Sequence, residues 1–298
     1  MPGEFDFIHW VRGQEKSSPL LLVPPGDDLA VLKWPADDLL LVGVDQVLDG
    51  VHFDSAVHTP RQIGRKVMNR NLSDCAAMAC LPAAAVATVA APTSTSLDYL
   101  KELYLGLRDA AHAFQCAVVG GDTAAWDGKL ALTVTILGRS AGVEPITRGG
   151  AKLGHGIFVT GPLGGSILGR HLTFEPRVNL ARELAKTVAI SSMIDLSDGL
   201  SRDVRHLCEA SGLAALIDGD RVPIHEDAHA LFRQDRRSPL EHALHDGEDY
   251  ELLFTGPVEK CAALGTQVGI MLVGSGVTLR SQGKAEPLRA GGWEHPLG

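Results

Sequence analysis

Short apolar runs that lead into aspartate and glycine recur along this chain, with helix-period segments between them. Residues 4–11 space their apolar side chains as a short amphipathic helix, and Pro24-Pro25-Gly26 then breaks the chain before Asp27-Asp28 and a strand at 29–32. Residues 39–44 form a continuous apolar run, the pattern of a strand buried on both faces, which ends at Asp45. Residues 47–53 alternate and carry Asp49 and His52 toward the same place. From Pro60 a helix is predicted to about Ala79, with Ile63, Val67, Leu72, Cys75 and Met78 near its period and with Asn71 and Asp74 on one face. An acid that leans toward the core needs a partner, and Lys66, Arg70 or a metal can serve.

A small-residue strand follows at 83–91, and Thr93-Ser94-Thr95-Ser96 offers N-caps for a helix through Phe114 whose stripe, including Leu103, Tyr104 and Leu107, reads as core. The strand at 116–119 delivers Gly120-Gly121-Asp122-Thr123, where paired glycines allow positive φ and close approach of N–H groups to an anion. Residues 129–137 return as an alternating strand. The stretch 139–154 is rich in glycine and charge, so a boundary is placed there, giving domains 1–140 and 141–298. The fold expected is α+β, with helices over a mixed sheet in the first half.

In the second half a strand at 157–160 enters Gly161-Pro162-Leu163-Gly164-Gly165-Ser166, a loop able to hold phosphate on exposed amides, although it is not a Walker A sequence. Helical residues near 180–188 precede Asp195-Leu196-Ser197-Asp198-Gly199, in which Ser197 or Asp198 can cap a helix ending at Gly212. A strand at 214–217, helices at 226–232 and 239–244, and Asp246-Gly247-Glu248-Asp249 ahead of a strand at 250–255 come next. A helix-strand pair at 258–264 and 269–273 leaves a glycine-rich tail with Trp293, exposed or stacked on a flat ligand.

Bulk properties narrow the function. Of 298 residues 45% are hydrophobic and 21% charged, the composition of a folded globular protein long enough for two domains. A net charge of -9 argues against a nucleic-acid partner. With no apolar run of bilayer length and no basic-then-apolar leader, the expectation is a cytoplasmic protein without membrane contact. Five cysteines without a CxxC pair read as buried free thiols, and twelve histidines show no metal-binding spacing. The acids carry the chemistry: so many carboxylates at strand ends repel one another unless cations neutralise them, which points to a site gathering Mg²⁺ and phosphate.

In order along the chain, Gly26-Asp27-Asp28, Asp49-Gly50-Val51-His52-Phe53, Asn71-Leu72-Ser73-Asp74, Gly120-Gly121-Asp122-Thr123, Arg148-Gly149-Gly150-Ala151-Lys152, Asp195-Leu196-Ser197-Asp198-Gly199-Leu200, Gly247-Glu248-Asp249-Tyr250-Glu251-Leu252 and Gly292-Trp293 resemble the thiamine-monophosphate kinases, of the superfamily that includes aminoimidazole ribonucleotide synthetase and selenophosphate synthetase. The resemblance implies an N-terminal mixed-sheet domain whose sheet pairs with that of a second subunit in a homodimer, and a C-terminal α/β domain over the nucleotide. It implies ATP-dependent phosphorylation of thiamine monophosphate to thiamine diphosphate. It assigns several Mg²⁺ ions to Asp27, Asp45, Asp74, Asp122, Asp195 and Asp198, ATP to Gly121, Arg148 and Ser197, and the thiamine side to His52, Glu248 and Trp293. The chain departs from the family pattern at Gly43-Val44, where two threonines are usual, at Ala124, usually threonine, and at Asp246, usually glycine. These departures keep two alternatives open: a same-fold enzyme acting on another small molecule, and a nucleotide-binding protein without catalysis.

Overall fold

Two helices cover one face of a four-stranded sheet in the first part of the chain, and the main core lies between them, with a smaller cluster of Ala84, Ala117 and Val119 on the other face. The structure is a computed structural model that describes residues 4–14, 18–23, 30–187 and 190–293. Two units emerge: one takes the chain up to Cys75 and Cys80–Gly142, the other Ala76–Ala79 and the chain from Val143.

The first unit runs α1 (Glu4–Arg12), β1 (Leu21–Val23), β2 (Val31–Leu32), β3 (Leu40–Leu48), α2 (Pro60–Ala77), β4 (Leu81–Pro92), α3 (Leu97–Ala113), β5 (Ala117–Trp126) and β6 (Ala131–Arg139). Its sheet has the order β3-β6-β4-β5. Only β4 and β5 are parallel, as their connection through α3 requires. Val47, Val67, Leu72, Leu107, Leu132 and Val134 lie in the core between sheet and helices. Ser96 caps α3 as expected, accepting from the Tyr99 N–H at 3.2 Å.

Residues 39–44 are not buried on both faces. Val42 and Val44 are 63% and 62% exposed, because the helices cover one face only and β3 is an outer strand. Nor does β3 stop at Asp45: pairing with β6 continues to Leu48 opposite Ala131. Likewise β5 runs through Gly120-Gly121-Asp122-Thr123 as far as Trp126 opposite Pro92. Asp45 and Asp122 therefore sit within strands, and neither Gly120 nor Gly121 has a positive φ. The requirement at Gly121 is space, since a Cβ there would collide with the Ala87 carbonyl oxygen of β4.

The second unit runs β7 (Gly156–Val159), α4 (Arg170–Thr173), α5 (Val178–Thr187), β8 (Ser192–Asp195), α6 (Leu200–Ser211), β9 (Ala214–Asp218), α7 (Glu226–Asp235), α8 (Pro239–His245), β10 (Leu252–Gly256), α9 (Val258–Cys261), β11 (Thr266–Leu272), β12 (Val277–Ser281) and β13 (Lys284–Pro287). Its seven-stranded sheet has the order β13-β12-β9-β11-β7-β10-β8, and only β12 and β9 are parallel. The glycine-rich tail thus contains a hairpin, turned by Gln282 and Gly283 at φ 51° and 76°. Among the described residues no helix is long and apolar enough to cross a membrane.

Helices α2 and α3 cross at two glycines. A Cβ at Gly64 would collide with the Leu103 carbonyl oxygen, and one at Gly106 with that of Arg61. Gly64→Ala is expected to destabilise the protein by about 2 kcal/mol or more through this overpacking, read as a lower urea midpoint. An unchanged midpoint would contradict the close crossing.

Candidate active site

Asp45 faces the helix side of β3, where Arg70 of α2 meets it with Nε 3.0 Å from Oδ2. Asp74 lies one helical turn beyond Arg70, and a Cβ built on Gly43 would stand 3.9 Å from its Oδ2. The three side chains therefore gather where α2 crosses β3, and Arg70 serves Asp45. Gly43 leaves room for no more than a Cβ in ordinary contact with Asp74 and Ile136. The other proposed partner, Lys66, is fully buried and donates its Nζ to the His52 carbonyl at 2.6 Å. His52 is itself buried, and its Nδ1 accepts from the Leu48 N–H at 3.1 Å, which fixes the ring within the turn after β3.

Asp122 is not brought to this group within the chain. Register places Asp45, Val134, Ala87 and Gly121 on one line across the sheet, and Asp122 on the next with Gln46, Thr133 and Thr88. As β3 and β5 are the two outer strands, three strand spacings of about 4.8 Å separate them, or roughly 14 Å. Gly120 to Thr123 instead form a wall of a cavity of about 300 Å³, completed by Phe7, Arg12, Tyr104 and Leu107. Tyr104 is core, as its place in the stripe of α3 predicts, and also borders the cavity. Asp27 lies outside the described residues.

In the second unit two loops are laced by backbone hydrogen bonds. Leu196 N–H donates to the Glu251 carbonyl at 2.8 Å, Glu248 N–H to Ser197 at 2.8 Å and Tyr250 N–H to Leu196 at 2.9 Å. The Trp293 N–H then donates to the Asp198 carbonyl at 3.0 Å. Ser197, Asp198, Glu248 and Trp293 are thereby assembled, with buried Asp195 at the end of β8 just before them. Trp293 remains 44% exposed. Glu248 and Tyr250 adopt left-handed backbone at φ 54° and 53°, a strain of about 1–3 kcal/mol each that the lacing sustains. Arg148 is not part of the assembly. Its carbonyl accepts from Ser211 Oγ at the C-terminal end of α6, whereas Ser197 and Asp198 precede the N-terminal end, roughly 18 Å away along the helix.

Neither Ser197 nor Asp198 caps α6. Asp203 reaches back from inside the helix, its Oδ2 accepting from the Asp198 N–H at 3.2 Å and the Gly199 N–H at 3.1 Å. Burial first, and then the charges of Asp195 and Asp198, push the Asp203 carboxyl well above its usual range. Asp198, Asp203 and His206 offer ligand atoms all within 4.8 Å of one another. This donor set of crowded oxygens with one imidazole suits a divalent cation, which would relieve the repulsion. Asp203 and His206 escaped the sequence reading, although their spacing of three residues, five beyond Asp198, is a recognisable one-face pattern.

The glycine loop 161–166 is not a phosphate cradle. Gly164 N–H donates to Asp249 Oδ1 at 2.9 Å and Gly165 N–H to Asp246 Oδ2 at 3.1 Å, so its amides are engaged by the chain's own acids. Ser166 Oγ adds a bond to the Glu248 carbonyl at 2.7 Å. The loop is a clasp on the acidic turn.

The first unit has the marks of a known class. The family described as "AIR synthase related protein, N-terminal domain" matches residues 26–140. Over 268 residues the chain is 42% identical to the thiamine-monophosphate kinase of Rhodopirellula baltica, covering 88% of this chain and 84% of that protein. The chain belongs to the thiamine-monophosphate kinase family. Its fold is similar to the crystal structure of thiamine-monophosphate kinase from Stenotrophomonas maltophilia, with a TM-score of 0.80, 30% identity and coverage of 94% and 96% of the two chains. It is also similar to AaThiL complexed with AMPPCP and TMP, with a TM-score of 0.79, 29% identity and coverage of 98% and 97%.

Asp249 yields a pH prediction. Desolvation lifts its carboxyl to about 7 despite Arg170 at 3.1 Å and the Gly164 N–H. A carboxyl raised in the folded state binds more protons there than in the unfolded chain, so its stability contribution is full below about pH 4 and is lost as pH rises through about 7. Asp249→Asn is expected to flatten the fall in urea midpoint between about pH 4 and 7. An unaltered slope would mean that Asp249 titrates normally.

Proposed function

We propose that this protein transfers the terminal phosphoryl group of ATP to the phosphate of thiamine monophosphate, releasing ADP and thiamine diphosphate. The observation that carries the reading is the laced pair of loops, which assembles Ser197, Asp198, Glu248 and Trp293 from three distant stretches of the chain. The similarity to a structure complexed with AMPPCP and TMP supports the pairing of nucleotide and acceptor.

The adenine is assigned to the cavity beside Phe7 and Tyr104, whose apolar walls suit a nucleobase while Gly121 and Asp122 border the phosphates. Ser197 adds to the ATP contacts, and His52, Glu248 and Trp293 take the thiamine side. Trp293, with its ring exposed, is available to stack on a heteroaromatic ring. Asp27, Asp45, Asp74, Asp122, Asp195 and Asp198 are the ligands proposed for Mg²⁺. When bound, the metal supplies neutralisation of phosphate charge. The protein's own work is to align acceptor oxygen and γ-phosphorus and to exclude water. The acceptor oxygen already carries charge, so neither a nucleophilic side chain nor a general base is needed.

Homodimerisation belongs to the same reading. The exposed side chains of Val42, Val44 and Val86 give the uncovered sheet face an apolar character suited to a second copy. Cytoplasmic location accords with five buried free cysteines. A second reading, phosphorylation of a different small molecule, is favoured by Gly43, which sets no hydroxyl beside Asp74 where the family usually has a threonine.

Incubation with ATP, Mg²⁺ and thiamine monophosphate is expected to yield thiamine diphosphate and ADP in equal amounts. Asp122→Asn is expected to lower turnover roughly a hundredfold or more with the circular dichroism spectrum unchanged. ADP formed only with another acceptor would favour the second reading, and full activity of Asp122→Asn would remove that residue from the site.

A further inference from the structure

Glu248 is held at both carboxylate oxygens, by His171, which no sequence motif singles out, and by Tyr250 of its own acidic turn. His171, on the one-turn helix α4, is buried, and its Nδ1 lies 3.2 Å from Glu248 Oε2. On the other side, the Tyr250 hydroxyl donates to Oε1 at 3.4 Å. The Tyr250 ring is in turn fixed by Phe174, stacked on it with centroids 3.8 Å apart and planes 12° from parallel. The Glu248 backbone is fixed as well, in left-handed conformation between the Ser197 carbonyl and the Ser166 hydroxyl. Yet 21% of the Glu248 side chain stays exposed while His171 is only 1% exposed. The supports are inside and the carboxylate looks out.

We propose that His171, together with the Tyr250 hydroxyl, is a positioning residue that aims the Glu248 carboxylate at the cationic thiazolium end of the acceptor. The inference rests on the assignment of Glu248 to the thiamine side. The chemistry follows from the geometry. To bond a carboxylate, Nδ1 must carry a proton, so the ring donates either as the Nδ1–H tautomer or as imidazolium. A glutamate left alone samples many rotamers, and each contact made on ligand binding would first have to immobilise it. With both oxygens held beforehand that ordering is complete in the free protein, at the expense of two left-handed residues in the loop. The orientation fixes a negative charge toward the ligand, which favours a cationic ring over a neutral analogue of the same shape.

The test is steady-state kinetics on the full-length protein with thiamine monophosphate and ATP varied separately. It uses His171→Leu, which removes the donor, His171→Asn, whose side-chain N–H replaces Nδ1–H, and Tyr250→Phe, which removes only the hydroxyl. His171→Leu is expected to raise KM for thiamine monophosphate about tenfold with KM for ATP unchanged, His171→Asn to recover most of that loss, and Tyr250→Phe to raise the same KM by about threefold. In a Glu248→Gln background the His171→Leu effect should shrink below about twofold, because the carboxylate it aims is gone. Equal changes in both KM values, or a His171→Leu effect undiminished by Glu248→Gln, would show that His171 only packs. If His171→Leu does not fold, Tyr250→Phe in the two backgrounds decides by the same criterion. A parent protein that makes no thiamine diphosphate would instead overturn the functional reading itself, and this inference with it.

Discussion

The second unit is organised around carboxylates that would rather be apart. Asp195, Asp198 and Asp203 lie within nine positions of one another at the end of β8 and the start of α6, and their charges, added to burial, keep Asp203 well above the ordinary carboxylate range. Nothing about helix or strand formation needs three acids there. One acid, Asp203, ties down the loop ahead of the helix by accepting from the Asp198 and Gly199 N–H groups. The remaining two add repulsion to a folded state whose net stability is small, a cost that proteins sustain where a cation or ligand recovers it.

Much of the surrounding architecture serves to keep that crowded turn from opening. The acidic loop at 246–250 is tied to it by three backbone hydrogen bonds, and the glycine loop at 161–166 is tied to the acidic loop by carboxylates accepting from Gly164 and Gly165. The last described residue, Trp293, closes the arrangement on the Asp198 carbonyl. Left-handed Glu248 and Tyr250 survive because so many bonds determine their conformation. In the first unit rigidity has another source: β3 and β5 present Asp45 and Asp122 from inside paired strands, and α2 is held close to α3 by glycine against backbone. Acids carried on strands and packed helices are held more accurately than acids on loops.

The sequence conveyed most where local chemistry decides structure. Ser96 as a cap, Pro60 as the first residue of α2 and the alternation of β6 all depend on near neighbours. The burial of 39–44 is not legible locally, because a continuous apolar run fits a strand covered on both faces and an outer strand with one open face alike; only the count of covering layers distinguishes them. Asp45 and Asp122 were placed at strand ends because acid and glycine usually end strands, whereas ladder partners across the sheet extend both strands past them. The hairpin at Gln282-Gly283 was lost for want of an Asn-Gly or Asp-Gly signal. The glycine loop pointed to phosphate, but its amides are satisfied by Asp246 and Asp249 from some eighty residues away, a long-range fact with no local trace. Individual acids were legible as a set through their order along the chain. Two of their supports, His171 and Asp203, were not, since each resembles an ordinary helix residue.

If functional acids are kept at the expense of stability, removing one should strengthen the metal-free protein and abolish its response to the cation. The most direct measurement is thermal unfolding at neutral pH of the parent and Asp195→Asn, each with chelator and with Mg²⁺, in the absence of nucleotide. The account predicts that Asp195→Asn melts above the parent in chelator, and that Mg²⁺ raises the parent's midpoint while leaving the variant's nearly unmoved. A variant that melts below the parent in chelator, with the two responding equally to Mg²⁺, would contradict it.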